Sequence, residues 1–118
     1  MCMTIDNEVE IMCDEKEVEI WATLQILDKK SKKEILLIKS DCTTEMLCDT
    51  VLEDLFGRLF YYRNIDFTSC ESKIIININI FGEYFPVMDI NRVYLKLLSK
   101  INAEVIYNMN FLRTKHSN

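Results

Sequence analysis

Hydrophobic and polar positions alternate through residues 17–27, EVEIWATLQIL. Val18, Ile20, Ala22, Leu24 and Ile26 fall on one side and Glu17, Glu19, Trp21, Thr23 and Gln25 on the other, the period-two pattern of a half-buried strand. The polar stretch DKKSKK (28–33) reads as a turn and EILLIK (34–39) as a second strand, so 17–39 predicts a β-hairpin with a loop longer than two residues. Residues 8–13 carry a weaker strand pattern. From Asp41 the spacing changes. Leu47, Val51/Leu52, Leu55/Phe56 and Leu59/Phe60 recur every three to four residues, predicting a helix over about 44–62 with Asp41 or Thr43 as its cap and Glu45 in its first turn. Gly57 falls inside that helix at a cost of about 1 kcal/mol against alanine, which suggests that another backbone approaches there. KIIININIF then places Ile74, Ile76, Ile78 and Ile80 on one face of a strand and Ile75, Asn77, Asn79 and Phe81 on the other. A turn follows over Gly82–Pro86. A second helix capped by Asp89 has Ile90, Val93, Tyr94, Leu97, Leu98 and Ile101 as its apolar side. Residues 103–112 alternate again.

The element order is β-β(-β)-α-β-α-β. It predicts an α+β fold, a mixed sheet with two helices packed on one face, in a single domain over 1–118 with 1–7 and 113–118 frayed.

Composition narrows the chemistry. Among 118 residues there are two glycines and one histidine. Neither a Gly-rich phosphate loop nor a Ser-His-Asp triad can be assembled from them, and His116 stands three residues from the C-terminus. The net charge of −5 repels nucleic acid in bulk. Eight acids against one base lie between Asp6 and Asp28, and then Lys29, Lys30, Lys32 and Lys33 crowd into five residues, either as a solvated turn or as a local phosphate contact. The five cysteines, Cys2, Cys13, Cys42, Cys48 and Cys70, show no C-x-x-C pair. Reduced thiols in a nuclear or cytosolic setting are the expectation, with no zinc site. No apolar run approaches the length of a membrane span, and the acidic first 20 residues have no signal-peptide h-region.

Glu17 and Glu19 share one face of the first strand, a solvated edge by pattern, and Asp49, Glu53 and Asp54 form a solubilising side of the first helix. Arg58 and Arg63, near that helix's end, serve either its dipole or a phosphate or RNA contact, and Arg92 is a third candidate for such a contact. The ordered blocks between Leu52 and Val105 carry more. Leu55-Phe56-Gly57-Arg58, the strand Ile74-Ile75-Ile76-Asn77-Ile78-Asn79-Ile80 and the helix Ile90-Asn91-Arg92 followed by Leu95-Lys96-Leu97-Leu98 together resemble the heart of the RNase PH family, to which the ring subunits of the RNA exosome belong. No block is specific alone, and the resemblance covers under half of the chain.

Catalytic members of that family have an Asp-Gly-Gly turn after the strand, with basic and hydroxyl residues that hold phosphate beside a helix N-terminus. Here the turn reads Gly82-Glu83-Tyr84-Phe85-Pro86. Glu83 keeps a carboxylate, but Phe85 and Pro86 stand where the Thr-Arg pair would be. The resemblance therefore implies a ribosomal protein S5 domain 2-like arrangement without the enzyme: a non-catalytic subunit of an exosome-type ring in RNA processing and 3′–5′ decay, nuclear and cytoplasmic, with no cofactor. Its partners would be other ring subunits, with RNA inside the assembled complex and no membrane. The chain is about half the usual family length, which implies an apolar surface for a neighbour to cover. Trp21, Phe81 and Phe85 are the candidates for that interface. The competing expectation is a small α+β interaction module, a viral or parasite-specific adaptor unrelated to RNA decay. The two differ in whether strand 74–81 is central, paired to the hairpin, with both helices on one face.

Overall fold

A computed structural model describes residues 17–62 and 64–112. Its elements are β1 (Val18–Asp28), β2 (Glu34–Lys39), α1 (Asp49–Leu59), a 3-10 turn (Phe67–Ser69), β3 (Cys70–Ile80), α2 (Arg92–Lys100) and β4 (Ala103–Phe111). The strand pattern proposed for 8–13, the frayed ends and Arg63 lie outside the described residues. The α+β class is as expected: one four-stranded mixed sheet in the order β2-β1-β3-β4. β1 is antiparallel to β2 and to β3, and β3 runs parallel to β4 through the α2 crossover. The isoleucine strand β3 is therefore central and paired to the hairpin.

Alternation decides which face is covered. Val18, Ile20, Ala22, Leu24 and Ile26 of β1, with Ile74, Ile76 and Ile78 of β3, are completely buried, and Leu52, Leu55 and Leu98 of the two helices pack into the same cluster. Each of these valine, leucine and isoleucine side chains contributes about 1.5–3 kcal/mol by leaving water. Both helices thus sit on one face, and the Trp21–Asn77 side of the sheet is open. Two serines enter the core with their hydroxyls occupied. Ser40 accepts from the Ala22 N–H (2.8 Å) and donates to the Asp41 carbonyl (3.0 Å). Ser72 donates to the Ile101 carbonyl at the end of α2 (2.8 Å).

The element limits differ from the sequence reading for tertiary reasons. α1 begins at Asp49, because the segment before it is spent on strand-like pairing: Thr43 exchanges backbone hydrogen bonds with Ile20 (2.8 Å each), and Leu47 bridges Val87. Cys48 holds the N-cap with no side-chain hydrogen bond, in place of Asp41 or Thr43; Thr43 accepts from the Glu45 N–H instead. α2 is capped by Asn91, which accepts from Val93 N–H (2.9 Å), not by Asp89. The Asn91 N–H donates to Asp49 (3.2 Å), tying the starts of the two helices together. Val93 is exposed, so the packed side of α2 narrows to Tyr94, Leu98 and Ile101. β3 starts four residues early because Cys70 and Ser72 face inward.

The close backbone approach expected at Gly57 is absent: a Cβ there would meet no atom within 4 Å. The left-handed positions are held by Lys32 (φ 61°) and Asn102 (φ 54°) instead of glycine. Asn102 ends α2, where asparagine tolerates that conformation better than most residues.

Candidate interaction surface

The open face of the sheet is built from lateral rungs. Asn110 on β4 donates its amide to Asn79 on β3 (3.1 Å), and Asn79 donates to Glu19 on β1 (3.3 Å). One rung away, Asn108 donates to Asn77 (2.9 Å), and Trp21 is the register partner of Asn77 on the far side. Each asparagine that interrupts the isoleucine strand therefore accepts a hydrogen bond from an asparagine of β4. The repeated Asn-x-Asn in β3 (77, 79) and β4 (108, 110) was the signal that could have predicted both this ladder and the parallel register.

A second surface lies at the other face, where the loops before the two helices meet the end of β4. Leu47 bridges Val87, and Cys48 N–H donates to the Val87 carbonyl (3.1 Å). Phe85, two residues back across the buried Pro86, meets Phe111 edge-on with centroids 5.9 Å apart. Leu47, Phe85, Val87 and Phe111 are 46%, 60%, 50% and 66% exposed. Two exposed apolar pairs, Leu47 with Val87 and Phe85 with Phe111, thus flank Pro86, and exposed apolar groupings of this kind mark interaction surfaces.

The three candidate interface residues divide between these surfaces. Trp21 is half-buried on the open face. Phe81 continues the same side, its N–H bonded to the Glu17 carbonyl (2.9 Å) opposite it. Phe85 belongs to the apolar cluster on the other side, since Phe111 pairs in register with the inward Ile80.

Of the candidate phosphate contacts, Arg58 lies in the last turn of α1 and Arg92 at the start of α2. Arg58 is held by two carboxylates, Asp54 (3.0 Å) and Asp41 (3.2 Å), and Asp54 also accepts from the Asp41 N–H (2.7 Å). Burial alone would raise the Asp54 pKa; the hydrogen bonds from Asp41 and Arg58 outweigh it and hold the carboxyl below its ordinary value. The groove beside them is lined by Asp41, Thr43, Glu53 and Asp54, a sign that repels phosphate. Arg92 is exposed at the first position of α2, where the helix dipole disfavours a cation. Among the lysines of the hairpin turn, Lys32 pairs with Glu71 (2.7 Å) and Lys29 donates to the Thr68 carbonyl (3.0 Å). Glu83 is exposed in its turn.

Cys48 combines a helix N-cap with complete burial, and burial wins. Desolvation, with the Asp49 charge beside it, pushes the thiol up to about 11, so it stays protonated and unreactive at neutral pH. Among the described residues no group of three or more His, Cys, Asp or Glu side chains is placed to hold a metal ion, and no helix is long and apolar enough to cross a membrane.

Compared with known proteins, the chain matches no protein-family model, no curated protein and no solved structure.

Proposed function

We propose that this chain acts by assembly: it binds a protein partner through the apolar cluster of Leu47, Phe85, Val87 and Phe111. The exposure of that cluster carries the reading. The specific form is a non-catalytic RNase PH-like subunit of an exosome-type ring. It is supported by the resemblance between Leu52 and Val105 and by the central place of the isoleucine strand with both helices on one side.

A second reading, an adaptor unrelated to RNA decay, is favoured by a different observation. Arg58 is already neutralised by Asp41 and Asp54 beside an acidic groove, which leaves little to hold a phosphate backbone.

Mixing the purified full chain with purified exosome ring subunits tests both. The ring reading expects a stoichiometric complex that is weakened by Phe85→Asp. No complex with any ring subunit removes that reading. Phosphate-dependent degradation of RNA by the isolated chain, abolished by Glu83→Ala, would overturn the non-catalytic assignment.

A further inference from the structure

The two edges of the sheet are built differently. β2 is six residues long, carries an extra residue at Ile35 opposite the Ile26–Leu27 step, follows Lys33 and ends on Lys39. Shortness, a bulge and lysines are the devices that keep an edge from pairing with another chain. β4 has none of them. It runs nine residues in unbroken register with β3, without proline or glycine, and its one charge is Glu104. Among the described residues no strand pairs with its outer side.

The backbone of that edge is aimed outward at regular intervals. Ser72 N–H donates to the Asn102 carbonyl (3.3 Å), and Leu112 N–H donates to the Ile80 carbonyl (2.8 Å). In a parallel ladder, alternate residues bond to the same neighbour. The even-numbered residues therefore face β3, and Val105, Tyr107 and Met109 turn their N–H and C=O groups away from the sheet.

We propose that β4 pairs antiparallel with β4 of a second copy of this chain, centred on Tyr107, to make a continuous eight-stranded sheet. The occupant is argued from the strand's self-complementarity in this full-length register. Ala103 lies opposite Phe111, so the most exposed ring on the strand covers its smallest side chain. Val105 meets Met109. Glu104 lies opposite Asn110, whose amide already donates one proton to Asn79. Its second proton reaches the carboxylate of Glu104 on the other copy, and the rung from Glu19 through Asn79 continues across the interface. No like charges oppose each other, and five odd-numbered pairs supply up to about ten backbone hydrogen bonds. The inference does not depend on the assembly role proposed above, because it concerns the purified chain alone.

Sedimentation velocity on the full chain, from low micromolar concentration upward, together with amide hydrogen exchange, tests it. A monomer–dimer equilibrium is expected, with exchange of the Val105, Tyr107 and Met109 amides slowing as concentration rises. Asn110→Asp sets like charges opposite each other twice by symmetry and should weaken the dimer about tenfold. Adding Glu104→Lys to that variant should restore it, with circular dichroism confirming that both variants are folded. A chain that stays monomeric, a dimer whose β4 amides exchange at a concentration-independent rate, or a dimer indifferent to Asn110→Asp would each overturn the proposal. The exchange result decides the matter in the native protein even if a variant fails to fold.

Discussion

Replacing Gly57 by alanine should stabilise the protein. Gly57 occupies the third position from the end of α1, it is exposed, and its φ is not positive. A Cβ added there meets no atom within 4 Å. The substitution therefore brings no clash and no strain, and its main effect is to remove backbone freedom from the unfolded chain. In mid-helix that is worth about 1 kcal/mol. In the last turn, where helices fray, a gain of about 0.5–1 kcal/mol is the appropriate range. An unfolding entropy of about 2 cal/mol/K per residue converts this into a rise of roughly 2–4 °C in melting temperature. Thermal melts followed by circular dichroism, paired with urea titrations of unchanged slope, would measure it. A fall in melting temperature would refute the reasoning, because it would mean that a neighbouring backbone does approach this glycine and that the open space around it is wrong.

Three further outcomes follow from the same geometry. Ser40→Ala leaves the Ala22 N–H without its 2.8 Å partner in the core and should cost about 1–3 kcal/mol in urea unfolding; a neutral result would show that the hydroxyl is dispensable. In the native protein a thiol reagent should modify the exposed Cys42 while Cys48 and Cys70 react only on unfolding, and peptide mapping after a timed pulse would show the order. Stability should fall as the solution is acidified. The Ser31 and Thr68 hydrogen bonds hold Asp28 and Asp66 below their ordinary values, and Asp54 is lowered too. A carboxylate with a depressed folded pKa contributes fully above its unfolded value of about 3.9 and loses that contribution as pH drops through the folded value. Urea midpoints flat from pH 5 to below 3 would contradict this.

Much of the fold is legible in the residues. The hairpin and the isoleucine strand announce themselves because side chains alternate every two residues and one side of each is wholly apolar. The start of α1 is not legible, and the reason is tertiary. Asp41 and Thr43 are competent caps, but Thr43 is tied to Ile20 and Leu47 to Val87, so backbone groups that local propensity would give to a helix are used across the chain. Gly57 misleads in the opposite way, because a glycine in a helix marks a close approach only when something approaches.

For the surfaces, the chain alone named the aromatic residues but not their company. Trp21, Phe81 and Phe85 are the interface candidates by sequence, and the folded sheet separates Phe85 from the other two. Position alone leaves Arg58 either to the helix dipole or to a phosphate contact, and only the folding of the 41–43 segment against α1 brings Asp41 to it.

Periodicity determined which elements exist, which side of each is buried and that the class is α+β, since those follow from side-chain spacing within a single segment. The order β2-β1-β3-β4, the Asn ladder, the neutralised Arg58 and the contrast between a guarded edge and an open one were decided only in three dimensions. The rung from Asn79 to Glu19 joins residues 60 positions apart and the Arg58–Asp41 pair residues 17 apart; side-chain spacing within one segment does not fix which distant strand or charge it will meet.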